Sequence, residues 1–218
     1  MRIAVVASGP ETELVDLQTY HTEDTIFVGV DRGTMYLLER GITPKVAIGD
    51  FDSVTEAEWQ KIESGVGSDH IHRFPAEKDE TDLELAILWA IKQQPETIII
   101  LGATGGRLDH FFGTISLLMN KEIISSATKI EIMDKQNVVS LYGPGTYTVF
   151  EDPGKKYFSF FAITSQVTHF TLKGFKYPLS DHTVKPGSTL YVSNELGQES
   201  GTFSFSSGIL MMIRSSDG

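Results

Sequence analysis

Thr97-Ile98-Ile99-Ile100-Leu101-Gly102-Ala103-Thr104-Gly105-Gly106-Arg107-Leu108-Asp109-His110 passes from a continuous β-branched run, through a glycine-rich loop, into an amphipathic segment over residues 108–118. A short apolar run bounded by turn residues reads as a strand buried on both faces, as parallel strands are. Strand, glycine-rich loop and helix in succession form half of a βαβ unit. They also set free N–H groups and a positive helix end against an anion. The loop is not a Walker A motif, because Gly-Lys-Ser/Thr is missing, and it is not Gly-x-Gly-x-x-Gly, so alone it names no nucleotide motif. Arg107 suits bidentate contact with phosphate, and Asp109 can accept from ribose, an amine or Arg. His110 is expected to be packed or solvent-facing rather than catalytic.

The same grammar holds upstream. Residues 3–7, 25–30 and 46–48 read as further buried strands. Between the third of these and residue 97, residues 82–93 carry Leu83, Ala86, Ile87, Ala90 and Ile91 at i, i+3, i+4, i+7 and i+8, one apolar stripe of a helix. Alternating strands and helices predict an open parallel sheet with flanking helices, whose ligands sit beyond the carboxyl ends of the strands. Three post-strand loops therefore belong to one edge: Asp31-Arg32-Gly33, Gly49-Asp50-Phe51-Asp52-Ser53 and residues 102–107. From about Thr128 helical periodicity gives way to short runs separated by Gly143-Pro144-Gly145, Asp152-Pro153-Gly154 and Lys185-Pro186-Gly187. Residues 157–163, 168–172, 189–193, 201–205 and 209–213 are expected strands of a C-terminal all-β sandwich or jelly roll. The predicted domains are 1–127, α/β, and 128–218, all-β. Trp59 and Trp89 are expected in the core.

Composition narrows the function classes. The chain has 218 residues, 40% of them apolar, enough for a sizeable core. Its formal charge of -11, from 18 basic and 29 acidic side chains, repels nucleic acid and anionic lipid but says little about one small nucleotide. The absence of cysteine removes thiolate catalysis, Cys-ligated zinc and disulfides. The opening apolar run is too short for a signal-peptide core, and no run of about 18 apolar residues occurs, so a soluble cytoplasmic protein is the expectation.

Two acidic clusters carry the chemistry. In Asp50-Phe51-Asp52 the carboxylates are i and i+2, so a continuing strand would put both on one face as a hard-cation site. Taken alone, Asp-x-Asp is more commonly a turn that caps the next helix, around Thr55. In Lys78-Asp79-Glu80-Thr81-Asp82, Asp79 is the expected N-cap and Asp82 the N3 residue of the helix that follows. The same placement would bring Asp79 and Asp82 to the sheet edge where the loops gather, offering a third metal-directed carboxylate.

In this order, Asp31-Arg32-Gly33, Gly49-Asp50-Phe51-Asp52-Ser53, Lys78-Asp79-x-Thr81-Asp82 and Gly105-Gly106-Arg107-x-Asp109-His110 resemble the thiamine pyrophosphokinase family. The resemblance continues through Ser193-Asn194-Glu195 and the closing run from Ser207-Gly208 to Ile213. It implies an α/β domain, a β-sandwich and a homodimer, and a reaction in which the thiamine hydroxyl attacks the β-phosphorus of ATP and AMP leaves. By resemblance, Asp50, Asp52 and Asp82 would hold Mg2+ on the transferring phosphates, with Asp50 or Asp82 as proton acceptor. Asp79 and Thr81 would orient phosphate or hydroxyl. Asp31, Arg32, Gly33, Lys78, Gly105, Gly106, Arg107 and Asp109 would form the nucleotide side. Ser193 and Asn194 would contact the thiamine pyrimidine.

Two other classes compete. A haloacid-dehalogenase-type phosphohydrolase would also hold magnesium through strand-Asp-x-Asp, with Asp50 as nucleophile. A thiamine or nucleotide sensor would bind without chemistry, but clustered acidic loops are costly to hold together without a metal, which favours catalysis.

Overall fold

Short β-branched runs that cannot satisfy their own backbone groups build the first unit, Met1–Lys135, by pairing side by side. A computed structural model describes residues 1–75 and 77–217. Its first strands are β1 (Arg2–Val6), β2 (Thr25–Val30), β3 (Val46–Gly49), β4 (Ile71–Arg73), β5 (Thr97–Leu101) and β6 (Lys129–Met133). They pair in parallel in the order β4-β3-β2-β1-β5-β6. Val5 lies between Val28 and Ile100 in this register, and all three are fully buried. The chain runs outward from β1 to β4 and then returns to the other side of β1 as β5. The reversal between β1 and β5 is the switch point at which open α/β sheets form a crevice.

Among the described residues five α-helices accompany the sheet: α1 (Gly33–Leu38), α2 (Glu56–Val66), α3 (Asp82–Lys92), α4 (Leu108–Leu118) and α5 (Lys121–Ile124). The expected stripe of α3 holds, with Ala86, Ile87 and Ala90 buried and the helix packed against β1, β2, β3 and β5. Its N-cap is Thr81, whose hydroxyl accepts from Glu84 N at 3.1 Å, rather than the expected Asp79. A β-hydroxyl reaches the N3 amide, and this puts Asp82 on the first helical residue instead of N3. Likewise α2 is capped by Thr55, in a reciprocal capping box with Glu58, and by neither Asp50 nor Asp52. Trp59 and Trp89 are half-buried, not core. Trp59 lies 5.3 Å from the Phe51 ring, with the Arg73 guanidinium 5.0 Å from its centroid, so its indole shields a cluster edge.

The second unit begins at Gln136. The expected boundary between 127 and 128 falls before β6, which pairs parallel with β5 from Thr97↔Lys129 to Leu101↔Met133 and so belongs with the first unit. Among the described residues seven strands follow: β7 (Asn137–Tyr142), β8 (Gly145–Phe150), β9 (Tyr157–Ala162), β10 (Val167–Lys173), β11 (Leu179–Val184), β12 (Ser200–Phe205) and β13 (Leu210–Ser215). They form two antiparallel groups, β7-β13-β9 and β11-β10-β12-β8. Alternate residues of both groups enter one core, where Phe160 meets Phe170 at 5.2 Å and Phe203 at 5.4 Å. Two antiparallel sheets sharing an apolar interior make the expected sandwich.

Residues 189–193 are not the expected strand. Val192 N donates to Thr189 O at 3.3 Å in a turn, and only Tyr191 is buried, while Leu190 and Val192 face outward. Their apolar character belongs to the surface. Among the described residues, no helix is long and apolar enough to cross a membrane.

Candidate active site

Because β1, β2, β3 and β5 are parallel, the residues that follow them share one edge. Ala7 N donates to Leu101 O at 2.8 Å, and Gly9 N donates to Gly102 O at 2.7 Å, zipping together the loops after β1 and β5. A Cβ on Gly9 would overlap Gly102 O, so this approach requires glycine. Around these loops, entirely within the first unit, opens a cleft of about 920 Å³, within the size range of small-molecule sites. Of the expected site residues, Asp31, Asp50, Lys78, Asp79, Thr81, Asp82, Gly106, Arg107 and Asp109 line it.

Three carboxylates converge there. One oxygen from each of Asp31, Asp50 and Asp82 lies within 4.8 Å of the others. Asp31 follows β2, Asp50 follows β3, and Asp82 opens α3, which crosses back over the sheet. Asp31 is the member that sequence reasoning put on the nucleotide side. The available signal was that Asp31 and Asp50 each follow the last residue of neighbouring parallel strands. Gly49 permits this arrangement, since a Cβ there would overlap Asp31 Oδ1. Phe51 N donates to that oxygen at 3.3 Å.

Asp52 is not in this group. The inference of one face for Asp50 and Asp52 needed an extended backbone, but β3 ends at Gly49 and Phe51 has φ of 57°, a left-handed conformation. The turn buries the Phe51 ring and leaves Asp52 exposed, its amide donating to Asp50 Oδ1 at 3.0 Å.

Electrostatics follow from the clustering. Burial, and after it the charge of Asp82, pushes the Asp31 carboxyl up to about 6, against the opposing hydrogen bond from Phe51. Lys78 offsets part of the negative field, its Nζ lying 2.9 Å from Asp82 Oδ1. Both side chains are largely buried, 12% and 16% exposed, so the ion pair is little screened by water. Three hard carboxylate oxygens this close together match the coordination chemistry of Mg2+.

The glycine loop supplies the anion side. Gly102 and Gly105 have φ of 70° and 77°, and α4 begins after Arg107 with no side chain capping its first N–H groups. An uncapped helix end on a cleft is suited to phosphate. Arg107 is held by Asp109 in a bidentate pair of 3.1 and 2.6 Å, both side chains exposed at the rim. Thr104 Oγ1, also on the cleft wall, is buried without a partner.

Other expected residues lie elsewhere. Arg32 points away to Glu58 at 2.9 Å, and Gly33 is buried at the start of α1, where a Cβ would overlap Val6 O. Gly105 is exposed in the loop and does not line the cleft. In the second unit Asn194 is buried, with its amide spent on the chain. Its Oδ1 accepts from Tyr177 N and Glu195 N, and its Nδ2 donates to Tyr177 O. Ser193 is exposed with φ of 57°, its amide donating to Ser159 Oγ at 3.0 Å.

A parallel sheet with acidic strand ends, a glycine loop and an uncapped helix on one cleft defines a class, the open α/β proteins whose ligand cleft lies beyond the carboxyl ends of the strands. Family models describing the catalytic domain and the vitamin B1 binding domain of thiamin pyrophosphokinase match residues 17–133 and 146–210. The thiamine pyrophosphokinase of Bacillus subtilis is 47% identical over 215 residues, covering 99% of each chain. Its crystal structure superimposes with a TM-score of 0.93 over the whole of both chains. The crystal structure of thiamin pyrophosphokinase from Geobacillus thermodenitrificans is 50% identical, with a TM-score of 0.90 over 100% of this chain and 99% of that one. The chain belongs to the thiamin pyrophosphokinase family.

Proposed function

We infer that the chain transfers the pyrophosphoryl group of ATP to the hydroxyl of thiamine, giving thiamine diphosphate and AMP. The observation that carries this reading is the Asp31, Asp50 and Asp82 convergence beside the glycine loop, in a chain 47% identical throughout to a thiamine pyrophosphokinase. ATP is the co-substrate.

As the thiamine oxygen attacks the β-phosphorus and gives up its proton, to Asp50 or Asp82 in this reading, the bond to the α-phosphate oxygen breaks and negative charge builds on the departing AMP. Catalysis of such a transfer is mainly positioning and charge stabilisation. Asp31, Asp50 and Asp82 are the residues proposed to hold Mg2+, and the bound ion would supply positive charge to the phosphates. The amides of residues 102–107 and of the first turn of α4 donate to phosphate oxygens, with Arg107 reinforcing them from the rim. Lys78 adds a second positive charge, and Asp79 and Thr81 stand at the same wall to orient phosphate or hydroxyl. Asp52 contributes to the cleft's negative field from outside the trio. In the second unit we assign thiamine contact to the turn at Ser193, which Asn194 anchors through Tyr177. The presence of a vitamin B1 binding model over that unit supports the assignment. Homodimerisation belongs to the same proposal, as does a cytoplasmic location, where ATP is supplied.

A mass-resolved assay of ATP, Mg2+ and thiamine tests this reading. It should yield AMP and thiamine diphosphate in equal amounts. ADP with thiamine monophosphate would mean attack at the wrong phosphorus, and AMP-free hydrolysis through a phosphoaspartate at Asp50 would favour the phosphohydrolase alternative.

A further inference from the structure

Three carboxylates within 4.8 Å repel one another, and Lys78 brings an ammonium to one of them, Asp82. Lys78 does not reach the trio by chance of a long side chain. Its Nζ donates to Pro75 O at 3.0 Å, which fixes the head group, and its side chain is only 12% exposed, with Asp82 at 16%. Asp82 Oδ1 is 2.9 Å away, so the ammonium lowers the negative field at the very oxygen that a second cation would meet. A charge this close and this little hydrated competes with any divalent ion for the same carboxylate.

We propose that Lys78 is the built-in counter-cation of the trio: it balances Asp82 until a divalent cation binds, and is then released to the phosphates of the nucleotide. This rests on the cation-binding reading of Asp31, Asp50 and Asp82. Counting charges, three ionised carboxylates and one ammonium leave two negative charges, the complement of a single divalent ion. Lys78 thereby holds down the affinity for the bare cation and couples tight binding to the arrival of the phosphates, which give the ammonium another partner. The role is one of positioning and selectivity.

The test is a calorimetric titration of Mn2+ or Mg2+ alone, without nucleotide, into the full chain and its Lys78→Gln, Lys78→Met, Lys78→Arg and Asp50→Asn variants. Loss of the ammonium should tighten cation binding roughly tenfold in the Gln and Met variants. Lys78→Arg, which keeps the charge, should stay near the parent. Steady-state kinetics should show KM for Mg-ATP rising in the Gln and Met variants more than kcat falls. Using both Gln and Met guards against one of them failing to fold. Equal or weaker cation binding in the Gln and Met variants, with binding still lost in Asp50→Asn, overturns the counter-cation role and leaves the metal site standing. Cation binding that survives Asp50→Asn overturns the metal reading itself, and the role of Lys78 with it. Tighter cation binding with an unchanged KM for Mg-ATP overturns the release to phosphate.

Discussion

At the residue scale the site shows its cost in Asp31. The folded-state value of about 6 lies above the usual 3.8, so the folded protein binds more protons than the unfolded one between them. The stability this group contributes is complete below about 3.8 and is lost as pH rises through about 6. Asp31→Asn keeps an oxygen to accept from Phe51 N and removes the charge. In the presence of a chelator the variant should therefore melt higher than the parent at pH 8, and the gain should vanish near pH 4. Circular-dichroism melts across that range check it, and an unchanged difference at all pH values would contradict the assignment. The same variant should lose at least about tenfold in divalent-cation affinity, as much as Asp50→Asn. A residue that destabilises the fold while drawing in a ligand is what a binding site requires. Phe51 is the counterweight, a buried ring in a left-handed turn. Phe51→Ala should cost about 3 kcal/mol in urea unfolding and loosen Asp50 as well. A stable variant with normal turnover would remove Phe51 as the anchor of that loop.

At the element scale, α3 decides whether the third carboxylate arrives. Its apolar stripe was legible from the 3.6-residue period, because that face has only one place to go, onto the sheet. Its first turn was not, since Asp79, Thr81 and Asp82 are all acceptable caps and only backbone geometry chooses among them. With Thr81 as cap, Asp82 sits on the first helical residue. Thr81→Ala should cost about 1 kcal/mol of stability, yet reduce kcat/KM by considerably more than that stability change, because a frayed first turn moves Asp82. Denaturant titration set beside steady-state kinetics separates the two effects, and equal losses would reduce Thr81 to a cap. The loop after β3 taught the opposite lesson to α3. The Asp-x-Asp spacing suggested one face, and a single positive φ at Phe51 undid it.

For the whole molecule, a divalent ion that binds only the folded first unit should raise its melting point. The stabilisation should be about 2.7 kcal/mol at a hundredfold excess over Kd, and at least about half of it should be lost at the same ion concentration when Asp31, Asp50 or Asp82 is Asn. A fluorescence melt with and without Mg2+ reads this directly, and a shift that persists undiminished in all three variants would place the ion elsewhere. The sequence by itself determined the parallel sheet, the loops at its carboxyl edge, the β-rich second half and the place of the acidic clusters beside those loops. Each of these is written in local period and residue type, which neighbours along the chain suffice to express. Only the tertiary structure decided that Asp31 joins Asp50 and Asp82, that Asp52 stays outside, that β6 belongs to the first unit, and that Asn194 spends its amide on Tyr177. Those outcomes depend on register between strands, on one backbone dihedral and on which partner a polar group meets across the fold. Such quantities are set by packing between residues distant in sequence, and no local pattern encodes them.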